Sequence, residues 1–201
     1  MYLEHHGVLG MKWGVRRYQP YGEGGYNPKN VKKVKNFKKY DPRTDVKKDI
    51  LISKGNELQR LTTSDNEKFK DRLYVSNNPY GYMDVMNTTD IDKMYVDTYK
   101  NKKALRIAGE DTIKDILKEI GDYKIDRYDK SDPRLNVADM YMDPKLKDIS
   151  KQFTKKARKR GYDGLMDPVD SNIGIGYIPS AIIVFNNVMD KIGHDPLKEW
   201  M

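Results

Sequence analysis

The stretch KALRIAGEDTIKDILKEIG, residues 103–121, joins a strand pattern directly to a helix pattern. Over 103–108 apolar residues alternate with others, which is the two-residue period of a strand. Over 110–120 isoleucine and leucine recur every three or four residues, and Gly121 then ends the pattern. The stretch therefore predicts a strand followed by an amphipathic helix.

Outward from this unit, three further stretches are typical of strands: Glu57–Thr62, Arg72–Ser76 and Ala181–Phe185. The last is the most apolar and is predicted to be central in its sheet. Pro144–Arg160 is predicted to be a second helix, and Thr89–Tyr99 a third. The order of these elements is too irregular for a regular βαβα alternation. We therefore predict an α+β fold, in which helices flank a small mixed or antiparallel sheet.

Charge divides the chain into unequal parts. The 201 residues carry a net charge of +8, but residues 1–50 hold 12 Lys+Arg against 5 Asp+Glu, whereas residues 51–201 hold 26 against 25. A high net charge suggests nucleic-acid binding when it is spread over a domain. Here the excess belongs to the N-terminal quarter, so it does not describe the part predicted to fold.

Several classes of protein are excluded by composition. Cysteine is absent, which excludes disulfide scaffolds, thiolate catalysis and Cys-ligated zinc. The three histidines are His5, His6 and His194, and an adjacent pair with one distant residue does not predict a metal site. No apolar run approaches the ~20 residues of a membrane span, and no signal-peptide pattern follows Met1. We expect no membrane association and no secretion by the usual route.

Three regions follow from these patterns. Residues 1–28 are punctuated by glycine and rich in large apolar and aromatic residues, which is typical of a docking peptide. Residues 29–50 are lysine-rich and predict a basic helix or linker. Nucleic acid is a conceivable partner of residues 29–48 but is not favoured, because two aromatic residues are too few for base stacking. Residues 51–201 form the predicted folded domain.

The order of segments in this domain resembles the ADP-ribosyltransferase-like family, particularly small divergent domains encoded by phages and prophages. A strand with a central arginine, Gln59-Arg60-Leu61, precedes the strand Arg72–Ser76. A helix over Tyr95–Tyr99 and the KALRIAGEDT unit come next, and a helix then ends in RGYDGL, residues 160–165, ahead of the AIIVF strand. The resemblance covers about residues 50–192.

This resemblance implies NAD as a substrate and a role for each matching residue. Arg60 would hold the pyrophosphate, and Tyr74 and Ser76 would line the nicotinamide end. A guanidinium suits the first role because it makes bidentate contacts with phosphate oxygens. The alternatives are a strand arginine paired with an acid for Arg60 and a strand-end hydroxyl for Ser76.

The carboxylate expected by the resemblance is absent from its usual place. Loss of nicotinamide leaves an oxocarbenium-like ribose that needs a nearby carboxylate. The family usually has a glutamate ahead of the last strand, but this chain reads IPSAII over 178–183. The nearest acids are Asp163, Asp167 and Asp170, of which Asp163 and Asp167 are the candidate catalytic residues. Asp163, within GYDG, is also typical of a turn.

A second resemblance involves residues 5–19, which read HHGVLGMKWGVRRYQ. They resemble the segment HHGxxGxKWGxRRxQ of many phage and prophage structural-module proteins, where it recurs on otherwise unrelated domains. A portable segment of this kind implies docking, packaging or processing rather than catalysis. The expected docking residues are His5, His6, Trp13, Arg16, Arg17 and Tyr18.

These observations lead to two expectations about function. The first is a phage-encoded, virion-associated protein that transfers ADP-ribose from NAD to a host macromolecule. Its partners would be a phage structural protein, bound through residues 1–28, and a host protein target. It would be found in the virion or the bacterial host cytoplasm. The second expectation is a catalytically inactive structural or interaction protein that keeps only the fold.

Overall fold

A computed structural model provides the structure of the chain. It describes residues 31–40, 47–63, 72–79, 91–121, 140–141, 143–167, 182–185 and 188–200. Within these ranges the chain forms two sheets and two α-helices. The predicted α+β class, with mixed and antiparallel strand pairing, is therefore confirmed.

The strands are numbered in chain order. They are β1 Lys32–Val34, β2 Ile50–Ile52, β3 Glu57–Thr62, β4 Arg72–Val75, β5 Tyr95–Asn101, β6 Leu105–Ala108, β7 Gly164–Met166, β8 Ile182–Phe185 and β9 Met189–Pro196. The helices are α1 Glu110–Glu119 and α2 Lys147–Lys159. Short 3-10 turns lie at Phe37–Lys39, Ile91–Lys93, Pro144–Leu146 and Leu197–Glu199.

The larger sheet has six strands in the order β1-β2-β6-β7-β8-β4. The β1–β2 and β6–β7 pairs are parallel, and the other three pairs are antiparallel. One face of this sheet packs on both helices, through Ile113 and Phe153 against Leu165 and Phe185. Burial of these apolar side chains is the main force that holds the helices to the sheet.

The smaller sheet has three antiparallel strands in the order β3-β5-β9. Leu58 and Tyr99 on its inner face share one apolar core with Ile52 and Val184 of the larger sheet. The described residues therefore form three layers: helices, the six-stranded sheet and the three-stranded sheet. A hydrogen-bonded bridge between Gln59 and Ser76 also joins the two sheets.

Most of the predicted elements are confirmed with nearly the expected bounds. Strands β3, β4, β6 and β8 lie within the stretches that alternate or run apolar, and β8 is an interior strand one position from the sheet edge. Helix α1 ends just before Gly121, whose φ of 106° is a conformation that favours glycine. Helix α2 buries Phe153 and Ala157, as its apolar spacing predicts.

The predicted helix over Thr89–Tyr99 is wrong. Residues 91–93 form a 3-10 turn, and β5 begins at Tyr95. The sequence YVDTY alternates, since Val96 faces one core while Asp97 and Tyr99 face the other side. Aromatic and β-branched residues at these positions favour the strand.

The basic helix or linker expected over residues 29–50 is also not what the described part of that region forms. Strand β1 pairs with β2 inside the six-stranded sheet. Phe37 is fully buried, Tyr40 is 4% exposed, and both belong to the apolar core between the sheets. The lysines within 31–40 and 47–48 are therefore carried on a folded part of the domain.

No helix in the described ranges has the length and apolar character needed to cross a membrane.

Candidate functional site

The inner face of the three-stranded sheet carries a row of polar side chains. Arg60 of β3 lies directly opposite Asp97 of β5, and Asp97 lies directly opposite His194 of β9. Residues that face each other across antiparallel strands project from the same side of the sheet. Leu58 and Tyr99, two positions along on the same face, belong to the core between the sheets. The polar row therefore continues the inter-sheet face beyond its apolar part.

A β-bulge adds Lys191 to this row. Gly193 is opposite Thr98, but Lys191 is opposite Tyr99, so Ile192 is an extra residue in β9. A bulge of this kind bends a strand and re-aims its side chains. Here it brings Lys191 onto the face of His194, and Lys191 Nζ lies 3.0 Å from Asp97 Oδ1.

Asp97 is the buried centre of the cluster. Its side chain is only 6% exposed, and its Oδ1 lies 2.6 Å from His194 Nδ1. The Tyr99 hydroxyl donates to Asp97 Oδ2 at 3.3 Å. A buried carboxylate is costly unless cations or donors compensate for the lost hydration. Lys191, His194 and Tyr99 provide that compensation.

The carboxylate also determines which nitrogen of His194 carries the proton. An ionised carboxylate only accepts hydrogen bonds, so Nδ1 carries the proton that it donates to Asp97. In the neutral ring, Nε2 is then the unprotonated nitrogen. The Tyr95 ring stacks on the imidazole, with centroids 4.4 Å apart and planes 11° from parallel. His194 is thus held in the orientation and tautomer of a general base.

Burial and the neighbouring Asp97 charge raise the pKa of Tyr99 to about 12, with burial the larger cause. Tyr99 is consequently a neutral hydrogen-bond donor at physiological pH. Arg60 and Lys191 act in the opposite direction on the same pKa, which shows that both cations are electrostatically close to this hydroxyl.

The Arg60 guanidinium has no hydrogen bond or ion pair with any other residue that the structure describes. It is half-buried, and Asp97 lies directly opposite it across the ladder. Counting Arg60, Lys191 and Asp97 as charged and His194 as neutral, the cluster has a net positive charge. The arrangement is therefore suited to an anionic group placed against Arg60 and beside His194.

The other two residues predicted to bind NAD do not share this face. Ser76 lies opposite Gln59, and strand alternation places Arg60 on the other side of the ladder from both. The Ser76 side chain is fully buried, and its Oγ has no hydrogen-bond partner in the described part of the chain. Tyr74 packs against the core under the helices. The structure therefore does not bring Arg60, Tyr74 and Ser76 into one site.

Asp163 belongs to a structural turn. Its Oδ2 accepts from the Arg106 backbone N–H at 3.0 Å, and its Oδ1 pairs with Lys103 Nζ at 2.6 Å. Its own backbone bonds to both Arg106 and Phe185, so it fastens β6 to β8 across the start of β7. Asp167 is 1% exposed and directly follows β7 in the six-stranded sheet. Neither acid is on the strands that carry Arg60 and His194.

Tyr162, in the same GYDG motif, also has a structural contact. Its hydroxyl donates to Asp49 Oδ2 at 2.6 Å, while Asp49 Oδ1 accepts from the Gly109 N–H at the start of α1. Through Asp49, which directly precedes β2, the motif therefore connects the end of α2 to the start of α1.

We expect Tyr162→Phe to lower the free energy of unfolding at pH 7 by about 1–2 kcal/mol, since a hydrogen bond to a carboxylate is lost. Burial, followed by the Asp49 charge, raises the pKa of Tyr162 above its usual 10.0. A raised pKa in the folded state gives stability that is complete below pH 10 and is lost as the pH rises further. Urea unfolding between pH 7 and 11 should therefore show a shallower alkaline loss in the variant than in the parent. An unchanged alkaline slope would contradict this assignment.

The predicted docking residues lie outside the described residues; they are His5, His6, Trp13, Arg16, Arg17 and Tyr18. In the described ranges, no three His, Asp or Glu side chains are grouped to hold a metal ion.

The sequence interpretation missed Asp97, Tyr99, Lys191 and His194. The alternation of YVDTY, had it been interpreted as a strand, would have placed Tyr95, Asp97 and Tyr99 on one face. Lys191 and His194 gave a weaker signal, because their common face depends on a bulge.

Comparison with protein-family models gives a match at the N-terminus. The model of a family of unknown function (DUF7211) matches residues 1–20. No curated protein and no solved structure matches the chain.

Proposed function

We propose that the chain is a phage-encoded, virion-associated protein whose domain binds NAD at the Arg60 cluster and transfers ADP-ribose to a host macromolecule. The observation that carries the proposal is the Arg60 guanidinium. It lies on the inter-sheet face with no hydrogen bond or ion pair to a described residue, and Asp97 lies between it and the oriented His194 of the far strand. The resemblance to ADP-ribosyltransferase-like domains implied an arginine on this strand for the NAD pyrophosphate.

In this proposal, Arg60 and Lys191 hold the pyrophosphate through charge-assisted hydrogen bonds. The bond between ribose C1′ and the nicotinamide nitrogen breaks, and its electron pair leaves with nicotinamide. A nucleophilic atom of the acceptor bonds to C1′, and its proton passes to His194 Nε2. Asp97 acts as a positioning residue, because it holds His194 Nδ1 at 2.6 Å and stabilises the imidazolium that forms.

The N-terminal part of the proposal rests on a different observation. The family match ends at residue 20, whereas the described fold begins at residue 31. A match confined to this segment supports a portable docking or packaging unit that recruits a phage structural protein. Residues 1–28 are assigned this role, and the domain that follows would be carried into the host cytoplasm.

A second candidate is a catalytically inactive interaction protein that keeps the fold. The position of Tyr74 and Ser76 favours it, since both side chains lie away from the face of Arg60. The absence of an acid in IPSAII, residues 178–183, favours it as well.

We expect Arg60→Gln to weaken NAD binding about 30-fold, because a charge-assisted contact to phosphate contributes roughly 1.5–3 kcal/mol. Lys100→Gln is the matched control: it removes the same charge from the opposite face of the same sheet, where Lys100 is exposed. Calorimetry with NAD measures both variants. Equal NAD affinities for Arg60→Gln and Lys100→Gln would show that Arg60 does not contact NAD.

Activity is tested by incubating the full chain with labelled NAD and host lysate. Label transfer to a lysate protein, or release of nicotinamide, is expected for the parent and for Lys100→Gln. Neither labelling nor NAD hydrolysis, together with no NAD binding by calorimetry, would overturn the enzymatic proposal in favour of the inactive interaction protein.

A further inference from the structure

A groove lies on the helix side of the six-stranded sheet, away from the Arg60 cluster. Its volume is about 320 Å³. Its lining residues are Tyr141, which precedes α2, and five residues of α2: Ser150, Lys151, Thr154, Lys155 and Arg158. This volume is at the lower end of the range typical of small-molecule sites.

Among the described residues, three cations and no carboxylate line the groove. Lys151, Lys155 and Arg158 follow one another at intervals of four and three residues, so they share one face of α2. Lys151 Nζ is 3.9 Å from Asp148 Oδ1, but both side chains are well exposed. An exposed ion pair of this kind is weak, so Lys151 can still bind a ligand. The Lys155 ammonium has no ion pair or hydrogen bond with any residue in the described ranges.

Three of the lining side chains, Tyr141, Thr154 and Arg158, have contacts that restrict their motion. The Arg158 guanidinium lies 5.9 Å from the centre of the buried Phe185 ring. Tyr141 shares a 2.8 Å hydrogen bond with Thr154 Oγ1, and Arg72 stacks 5.0 Å from the Tyr141 ring centre. Groups held in this way lose less conformational entropy when a ligand arrives.

We propose that this groove binds a small phosphate ester. Lys155 and Arg158 supply the charge, and the Thr154 hydroxyl can donate to the ligand while it accepts from Tyr141. The Ser150 hydroxyl donates to the Lys147 carbonyl at 2.9 Å and can only accept from the ligand. A phosphomonoester has about two negative charges and three terminal oxygens, which matches several cations and a hydroxyl donor around one small volume. A monocarboxylate would leave most of these donors unused. The site is separate from the NAD site proposed above and does not depend on it.

The probes are inorganic phosphate and glycerol 3-phosphate, with glycerol as the uncharged counterpart. Titration of the full chain, followed by the backbone amide signals of Tyr141 and Thr154, should give saturable shifts with both phosphates and none with glycerol. Lys155→Gln should weaken binding about tenfold, which is the size of one charge-assisted contact. Lys147→Gln is the charge-matched control, since Lys147 is exposed on α2 but does not line the groove. At the Tyr141 and Thr154 signals, Arg60→Gln should saturate at the same phosphate concentration as the parent, because Arg60 does not line the groove.

Three outcomes would overturn the proposal. One is no saturation of either phosphate below about 10 mM, a concentration at which even weak specific sites fill. Another is an equal loss in Lys155→Gln and Lys147→Gln, which would indicate general charge attraction. The third is binding of a single-stranded oligonucleotide in the absence of any glycerol 3-phosphate binding, which would indicate a nucleic-acid surface. Because Lys155 is exposed, its substitution should leave the thermal unfolding midpoint unchanged.

Discussion

Asp97→Asn is expected to lower the free energy of unfolding by about 2–3 kcal/mol at pH 7. The substitution leaves Lys191 and His194 beside an uncharged amide on a largely buried face. Loss of one partner from a fully buried ion pair costs about 3–5 kcal/mol. Lys191 and His194 are each about 30% exposed, so water recovers part of that loss. For a chain of this size, the midpoint of thermal unfolding should fall by about 5–10 °C.

The matched control is Asp190→Asn in the same sheet. Asp190 pairs with Lys102 at 2.8 Å, but its side chain is 61% exposed. The control should change stability by less than about 0.5 kcal/mol. Urea unfolding of both variants measures the difference, and equal losses would show that the burial of Asp97 does not matter.

A double variant separates lost charge from lost packing. Asp97→Asn with Lys191→Met removes the cation that the first change leaves uncompensated. We expect it to be more stable than Asp97→Asn alone by about 1 kcal/mol, since the coupling between contacting charges is not additive. No recovery would indicate that Asp97 acts mainly through His194 and Tyr99.

Local patterns predicted much of the fold. Strands β3, β4 and β6 and both helices follow from spacing within single stretches of about ten residues, such as the buried side of α2 at Phe153 and Ala157. Such patterns arise because each element must place its apolar residues on one face. The bounds of these elements could therefore be predicted without knowing any contact between distant segments.

Sequence patterns predicted only part of the candidate site. Arg60 was found because it stands at the centre of a recognisable strand. Its neighbours Asp97 and His194 come from segments 37 and 134 residues further along, and strand register alone brings them together. Register and the bulge at Ile192 depend on pairing between distant strands, which single-sequence patterns do not encode.

Gly164→Ala is expected to have the largest effect on the fold. Gly164 lies in the six-stranded sheet opposite Ile107 on one side and Val184 on the other. A Cβ atom there would lie 2.3 Å from the Ile183 carbonyl oxygen and 3.1 Å from Val184 Cα. These are backbone atoms of a hydrogen-bonded ladder, so they cannot move aside as a flexible side chain can.

We expect Gly164→Ala to lower the free energy of unfolding by at least about 3 kcal/mol, at the upper end of the cost of overpacking a core. Gly193→Ala is the control, since its nearest contact would be the Asp195 side chain at 3.2 Å and that side chain can rotate. The control should lose less than about 1 kcal/mol. Urea unfolding measures both, and the soluble fraction on expression is the second measurement if Gly164→Ala does not fold. A soluble Gly164→Ala variant whose free energy of unfolding is within about 1 kcal/mol of the parent's would contradict the close packing of β7 against β8. It would also contradict the view that the glycine of GYDG is needed to place β7 in the sheet.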